Sequence, residues 1–322
     1  RTTNLFWAGH RKSGLRKLPR PVWGLVACIL LVAAGYGLYW NFLAGQFRDG
    51  LERWAEVRRA EGYKVYYGPV EVAGFPFWLR VVMGQPVLSK SGEKQSWNWR
   101  GPALTISARP WRVTHTKAQA PGRHLVTVTT QARVRTLDIN AGSLNVSLKW
   151  AVSSGLPLEM RIEGKDISYR SAPVAGLGRR TETLSLHAEV TGTPPKSIGA
   201  AVMSQWRDDG GTVEIRSLNV RHGPMEIDGD GTIALDGDLQ PQAAFSMGVR
   251  GFMDAVDGLQ AAGVIKPRKA DVMKMVLAVL SGGKADAKGK LLKVPVSIQD
   301  EIIYMGPVVV GRVPYMNWPT GG

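Results

Sequence analysis

Val22 to Leu43 reads VWGLVACILLVAAGYGLYWNFL, a run of 22 residues without a charged side chain. At a rise of about 1.5 Å per residue, a helix of this length matches a hydrocarbon core of ~30 Å. Trp23 lies at one end and Tyr36, Tyr39 and Trp40 lie towards the other, where amphipathic aromatic rings favour the headgroup level. The run therefore predicts a transmembrane helix over residues 22–43.

The flanks of this run predict its orientation. The cations that precede it, with no acid among them, are Arg11, Lys12, Arg16, Lys17 and Arg20. By the positive-inside rule, residues 1–21 form a cytoplasmic tail of a single-pass inner-membrane protein, and the bulk of the chain lies in the periplasm. A cleaved signal peptide is the alternative, since Val32-Ala33-Ala34 suits a cleavage site, although the apolar run continues beyond it. Either version exports the rest of the chain.

Beyond the run, Phe47, Leu51, Trp54 and Val57 recur at steps of three or four residues. This spacing places them on one face of a helix. It predicts that the membrane helix continues outwards as an amphipathic stalk over residues 44–62, which ends at Gly62.

From residue 63 onwards the pattern changes to short β-type runs separated by Gly, Pro, Asn and Asp. In Leu144–Trp150, for example, apolar residues alternate with Asn, Ser and Lys, which is typical of a sheet with one apolar face. Three helical segments interrupt the strands: Lys196–Arg207, Phe252–Ala262 and Ala270–Ser281. Because no βαβ alternation is present, the prediction is an α+β fold. The membrane helix and stalk precede a long curled antiparallel β-sheet, a half-barrel or groove, with a few short helices in an exported domain over residues 63–322.

The net charge of +15 is concentrated in two regions. Residues 64–135 hold eleven Lys or Arg against two acids, the first 45 residues hold six and none, and the rest of the chain is balanced. Cations interleaved with Trp can bind single-stranded nucleic acid, but an exported domain rarely meets it, so no nucleic-acid partner is predicted. The same mixture suits anionic lipid headgroups. A solvated basic face over an ordinary core is the alternative.

The predicted contacts with a lipid or other ligand follow from this regional composition and from the alternating strand. They are Phe75, Phe77, Trp78, Trp97, Trp99, Trp111, Leu144 and Leu148. The predicted headgroup contacts are Arg80, Arg100, Arg109 and Arg112. A plain core role is the alternative for Phe75 and Phe77, because the Gly-Phe-Pro sequence is also explained by a sharp bend followed by extended backbone.

Chemistry beyond binding is not indicated. The five histidines are isolated in the sequence and lack metal-ligand spacing, and the single Cys28 excludes a disulfide within the chain. Gly-x-Ser-x-Gly is absent, and the Gly-Lys pairs near residue 284 lack the rest of a phosphate loop. The Asp-Gly pairs at Asp228, Asp230 and Asp236 predict hairpin turns rather than a calcium site. The sequence therefore predicts no catalytic residues, no metal, no cofactor and no enzyme activity.

Three segments carry a resemblance to a known family. They are Gly74-Phe75-Pro76-Phe77 after Val70-Glu71-Val72, then Trp97-Asn98-Trp99-Arg100-Gly101-Pro102, and the closing run from Val294-Pro295-Val296 through Gly306-Pro307 and Gly311 to Pro314. Together they resemble a bacterial family of membrane-anchored proteins, domain-of-unknown-function family twenty-one twenty-five, over most of the chain from Trp23. The resemblance implies topology and export but supplies no reaction.

A second, local resemblance is to AsmA-type envelope proteins. It lies in Met225–Leu235 (MEIDGDGTIAL) and the strand and short helix that follow. This resemblance implies a β-sheet trough that accommodates lipid chains, although a generic β-meander gives the same pattern. Together these patterns predict an envelope protein that binds or shelters a lipid or other apolar molecule in a β-sheet groove. The alternative is a structural or assembly factor for envelope protein complexes, which would have protein partners.

Overall fold

A computed structural model of the chain describes residues 20–92, 95–130, 133–150, 157–193, 195, 199–280, 292–306 and 308–318. Its helices are α1 (Arg20–Ala60), α2 (Ala200–Asp208), α3 (Phe252–Ala261) and α4 (Pro267–Leu280). The first nine strands are β1 (Tyr63–Tyr66), β2 (Val70–Ala73), β3 (Leu79–Met83), β4 (Val87–Ser91), β5 (Gln95–Arg100), β6 (Leu104–Arg109), β7 (Arg112–Gln119), β8 (Gly122–Thr130) and β9 (Val134–Trp150). The rest are β10 (Pro157–Tyr169), β11 (Arg180–Val190), β12 (Val213–His222), β13 (Met225–Leu235), β14 (Pro241–Arg250), β15 (Leu292–Gln299), β16 (Ile302–Met305) and β17 (Val308–Arg312).

The predicted membrane segment and stalk form one continuous helix, α1, of 41 residues. At about 1.5 Å per residue it is roughly 60 Å long, about twice the thickness of a hydrocarbon core. Within the described residues, α1 is the one helix that is long and apolar enough to cross a membrane, over Trp23–Ala60. Gly62, with a φ of 83°, follows the helix end, as the sequence predicted.

All the described strands belong to one antiparallel sheet, and the sheet is not closed into a barrel. The 17-residue strand β9 organises it. Along one edge, β8 pairs with residues 134–141 of β9 and β7 pairs with residues 145–149. Along the other edge, β10 pairs with residues 139–150. Two groups of strands therefore branch from one side of β9.

The two branches contain the first eight strands. One branch runs β8–β5–β4–β1, and the other runs β7–β6–β3–β2. The chain passes back and forth between them before it reaches β9. The space between the branches is where α1 packs, with Trp40, Ala44 and Leu79 buried together at the contact.

On the other side of β9, strands β10 to β17 form a meander in which each strand pairs with the next. Its register aligns one residue from each of seven strands in a single row: Val146, Ile162, Leu186, Leu218, Gly229, Met247 and Val294. Because opposite residues of paired strands point to the same face, the row belongs to one apolar face. This confirms the α+β class and the sheet with one apolar face.

The prediction of hairpin turns at Asp228-Gly229 and Asp230-Gly231 was wrong, since β13 runs through both pairs without turning. The glycines are explained by packing instead. A Cβ on Gly229 would lie 2.5 Å from the Met247 sulfur, and one on Gly231 would lie 2.3 Å from the Phe245 ring. The missing side chains thus leave room for two large neighbours on β14.

Asp236 does form the turn that the sequence predicted. Its carboxylate accepts hydrogen bonds from the backbone N–H groups of Asp238, at 2.9 Å, and Gln240, at 2.7 Å. The predicted helices are also present. Phe252–Ala262 corresponds to α3, and Ala270–Ser281 corresponds to α4, which begins three residues earlier at Pro267. The start of Lys196–Arg207 lies outside the described residues, and its described part is α2.

Candidate functional site

A groove of about 630 Å³ lies between α1 and the two branches of the sheet. The helix contributes one wall, which includes Leu43, Phe47, Leu51 and Trp54. These residues follow one another at steps of three or four, so they project from one face of α1. The apolar face of the predicted stalk is thus the face that lines the groove.

The sheet contributes the other wall from both branches and from β9. Leu88 and Trp99 come from one branch, Ile106 and Ala118 from the other, and Leu148 from β9. Ala118 in β7 pairs with Ile106 in β6 and with Val146 in β9, so the branch that begins at β7 presents one continuous apolar face with β9. Since side chains alternate along a strand, this is also the face that carries the apolar row of the meander.

The lining of the groove is almost entirely apolar. Thr116 contributes a hydroxyl, but that oxygen accepts a hydrogen bond of 2.8 Å from the Trp150 indole N–H. Gln46 contributes an amide, and Tyr66 and Tyr67 contribute phenol groups. The volume falls within the range of roughly 300–1,000 Å³ that is usual for small-molecule sites. A site of this kind binds by removing apolar surface from water rather than by polar recognition.

A second cluster, the tip, lies where two connections of the sheet meet α1. We define the tip as the β2–β3 loop, residues 74–78, together with Arg109–Arg112 at the β6–β7 turn. The Tyr36 hydroxyl donates to the Pro76 carbonyl, the Tyr39 hydroxyl donates to the Pro110 carbonyl at 3.0 Å, and the Trp40 indole N–H donates to the Trp78 carbonyl at 3.0 Å. All three donors lie within the apolar run of residues 22–43.

Aromatic and basic side chains cover the tip. The Phe75 ring packs edge-on against Trp40, with the ring centroids 5.7 Å apart. Phe77 is 64% exposed and Trp111 is 57% exposed. The Arg109 guanidinium lies 5.1 Å from the centroid of Trp78 and 5.8 Å from that of Trp111. The tip therefore combines exposed aromatic rings with a cation stacked between two of them.

The structure divides the predicted site residues into three groups. Trp99 and Leu148 line the groove. The residues at the tip are Phe75, Phe77, Trp78, Trp111, Arg109 and Arg112. The third group lies in neither the groove nor the tip. It consists of Trp97, which packs against Tyr63, and of Leu144 in β9, Arg80 in β3 and Arg100 in β5.

Sequence reasoning missed the helix wall of the groove and the three donors at the tip. The signal for the wall was present, since the spacing of Leu51 and Trp54 marked an apolar face, but nothing local indicated what that face would meet. The signal for the donors was equally visible. Tyr36, Tyr39 and Trp40 were interpreted only as interface aromatics.

One histidine is not isolated as the sequence suggested. His187 lies between Glu159 and Glu189, and one ligand atom of each lies within 4.8 Å of the others. Arg161 already pairs with Glu159 at 2.6 Å, and Arg216 pairs with Glu189 at 2.9 Å. The hydrogen bond from Arg216 also lowers the pKa of Glu189 below its ordinary value. The two guanidinium groups make this cluster an ion-pair network on the sheet surface.

A ligand class is not supplied by comparison with other proteins. Neither the curated proteins nor the solved structures contain a match to this chain. The local likeness to AsmA-type envelope proteins is likewise not shown by any comparison. A family model described as "Uncharacterized protein conserved in bacteria (DUF2125)" matches residues 40–171 and residues 163–314. These two segments include both branches of the sheet, the groove, the tip and the meander, and the chain therefore belongs to this bacterial family.

Proposed function

We propose that this protein is anchored in the bacterial inner membrane by α1 and holds a lipid or other apolar molecule in the periplasm, in the groove between α1 and the sheet. The observation that supports this proposal is the apolar groove of about 630 Å³, whose helix wall is a continuation of the predicted membrane helix. The cations before residue 22 support an exported domain through the positive-inside rule.

The driving force is the removal of apolar ligand surface from water. Each methylene group that moves from water into such a site contributes about 0.8 kcal/mol. A hydrocarbon chain that enters beside Leu43 leaves the bilayer along the same helix that crosses it, because Leu43 belongs both to the apolar run and to the groove wall. The chain then passes from one apolar environment to another with little exposure to water.

The charge distribution favours an anionic lipid among apolar ligands. Residues 64–135, which form both branches of the sheet, carry eleven Lys or Arg against two acids. A positive potential over this part of the domain attracts anionic headgroups and raises their local concentration. Among the described residues, no Lys or Arg lines the groove, so the headgroup remains outside while the acyl chain occupies the apolar lining.

Photo-crosslinking of the full chain in cells tests this proposal. Leu148 and Asn145 are both in β9, but Leu148 lines the apolar groove, whereas Asn145 lies on the opposite face of the strand and accepts a hydrogen bond of 2.9 Å from the Gln119 side chain. A benzophenone amino acid at Leu148 is expected to give adducts of lipid mass after irradiation, while the same group at Asn145 is expected to give few. Mass spectrometry of the purified, proteolysed chain identifies the adducts.

The two outcomes separate the proposal from its rival. Lipid adducts at position 148 that are absent at position 145 support the groove as a lipid site and identify the lipid. Equal adducts at both positions, or none at either, would show that the groove does not hold a lipid. Reproducible protein adducts at position 148 would instead favour a structural or assembly factor.

A further inference from the structure

The depth at which the tip contacts α1 can be read from the helix itself. Between Arg20 and Arg48 the helix has no charged residue. A hydrocarbon core of ~30 Å takes about 20 helical residues, so a core that begins directly after Arg20 ends near residue 40 on the outer side. Tyr36, Tyr39 and Trp40 then lie at the outer edge of the core or just inside it, and the tip is bonded to them.

The hydrogen bonds at the tip suit this depth. Irregular backbone at the level of a membrane must have its polar groups satisfied by protein, because no water is available in the hydrocarbon region. The carbonyls of Pro76, Trp78 and Pro110 are the parts of the loops that face α1, and each accepts a hydrogen bond from a side chain of the helix. At a water-exposed contact these carbonyls would need no such partners.

The outward surface of the tip has the composition of a membrane interface. Phe77 and Trp111 expose 64% and 57% of their surface, although both are large apolar residues. Arg109 and Arg112 are exposed beside them, and Arg109 stacks between two Trp rings. Trp and Arg together favour the headgroup layer, since the ring prefers the interface and the guanidinium attracts anionic phosphate.

We propose that the tip inserts into the outer headgroup layer of the same membrane that α1 crosses, with Phe77 and Trp111 below the phosphates and Arg109 and Arg112 bound to anionic headgroups. This inference rests on the membrane anchoring in the proposed function, but not on occupation of the groove. Helix and tip form two points of attachment, which hold the β domain at one height and tilt. The groove then opens directly beside the outer leaflet.

Site-directed labelling of the full chain in lipid vesicles tests the insertion. Cys28 is the one native thiol and lies inside the apolar run, so a fluorescent label there reports whether α1 spans the bilayer. In a Cys28→Ala background, Phe77→Cys and Trp111→Cys place the label at the tip. Val134→Cys is the matched control, because Val134 is 66% exposed and Phe77 is 64% exposed. Val134 also lies far from the tip. Lys149, near the other end of β9, pairs with His115 of β7 close to the tip, and Val134 is 15 residues, or about 50 Å of extended strand, away from Lys149.

The vesicles consist of phosphatidylcholine with or without phosphatidylglycerol, and they carry a nitroxide lipid with the quencher near the glycerol backbone. Labels at positions 77 and 111 are expected to lose fluorescence on reconstitution, while the label at position 134 keeps it. The loss is expected to be larger with phosphatidylglycerol, and Arg109→Gln with Arg112→Gln is expected to remove that lipid dependence. In separate vesicles, whose nitroxide is near the ends of the lipid acyl chains, a label at Cys28 is expected to be quenched.

Each other outcome overturns the proposal at an identifiable step. Unquenched labels at positions 77 and 111, together with a quenched label at Cys28, would show that α1 spans the membrane while the tip stays in water. An unquenched label at Cys28 would show that the anchoring itself is absent. Neither result bears on whether a lipid occupies the groove, which the crosslinking at Leu148 measures separately.

Discussion

The Tyr39 hydroxyl, in the apolar run of α1, donates a hydrogen bond of 3.0 Å to the carbonyl of Pro110 in the turn between β6 and β7. These residues are 71 positions apart in the chain. The bond therefore fixes the apolar part of α1 against the folded domain rather than stabilising a local turn. Together with the bonds from Tyr36 and Trp40, it makes α1 part of the fold instead of a tether attached to it.

Tyr39→Phe removes this donor and leaves the Pro110 carbonyl without its partner. A lost hydrogen bond that strands a buried acceptor costs about 1–3 kcal/mol, so the free energy of unfolding is expected to fall by that amount. Urea unfolding of the full chain in detergent measures it. Phe42→Leu is the control, since Phe42 is on the same helix and 62% exposed. Equal stability of the Tyr39→Phe variant and wild type would show that the bond is not formed in solution.

Leu79→Ala tests the packing beneath the tip. Leu79 is 1% exposed and packs with Trp40 and Ala44 where α1 crosses β3. Truncation of a fully buried leucine costs about 2–5 kcal/mol, because transfer energy is lost and a cavity remains. Chemical denaturation of the purified full chain should show this loss. Val134→Ala, at a position that is 66% exposed, should change the stability by less than about 0.5 kcal/mol.

Gly50→Phe is expected to block the groove from the helix side. Gly50 lines the groove, and a Cβ built on it meets no atom within 4 Å, so a side chain can start from this position without a close contact, and a phenyl ring there takes up groove volume. Lipid adducts at a benzophenone placed at Leu148 should then decrease several-fold.

Gly45→Phe is the matched control for this occlusion. Gly45 is also in α1 with open space around its Cβ, but it does not line the groove. Undiminished adducts in the Gly50→Phe variant, with the chain folded, would mean that the lipid at Leu148 lies outside the groove as we define it.

The acid sensitivity of the domain is expected to depend on Asp138. Arg123 donates two hydrogen bonds to this carboxylate, at 2.9 and 2.7 Å, and they lower its pKa below the ordinary value of 3.8. A lowered pKa in the folded state stabilises the fold above the unfolded pKa, and the benefit is lost as the pH falls through the folded pKa. Wild type should therefore lose more stability than Asp138→Asn between about pH 5 and pH 3. Thermal unfolding across this range measures the difference, and parallel curves for the two chains would contradict it.

The sequence predicted the parts of this fold that depend on local periodicity. A run of 22 uncharged residues and a change from helical to alternating spacing were sufficient for α1, the stalk and the sheet with one apolar face. Gly62 and Asp236 were interpreted correctly because a helix end and an Asx turn require those residue types locally.

The same reasoning could not place what depends on contacts between distant segments. The glycines at Gly229 and Gly231 were interpreted as turns, because their real role, room for Met247 and Phe245, involves another strand. The candidate residues were chosen for composition, so they divided between the groove, the tip and neither place. The branching at β9 determines which strands line the groove and which loops reach the tip. The periodicity of the sequence carries no information about that branching.

Gly258→Ala tests a contact of this non-local kind. We expect it to destabilise the chain, although helix propensity alone predicts stabilisation. Alanine in place of glycine inside a helix ordinarily stabilises it by up to about 1 kcal/mol. In α3, however, a Cβ on Gly258 would lie 2.2 Å from the Gly176 carbonyl oxygen, in the connection between β10 and β11. The two backbones must separate, so we expect a loss of roughly 1–3 kcal/mol, the usual range for overpacking.

Denaturant unfolding of the full chain measures this loss, and Gly50→Ala provides the comparison. Gly50 is also inside a helix, but a Cβ there meets no atom within 4 Å, so alanine is expected to stabilise the chain or leave it unchanged. Opposite signs for the two substitutions would establish that α3 packs directly on the β10–β11 connection. A gain in stability from Gly258→Ala would mean that this close backbone contact does not exist, because the helix would then be responding to propensity alone.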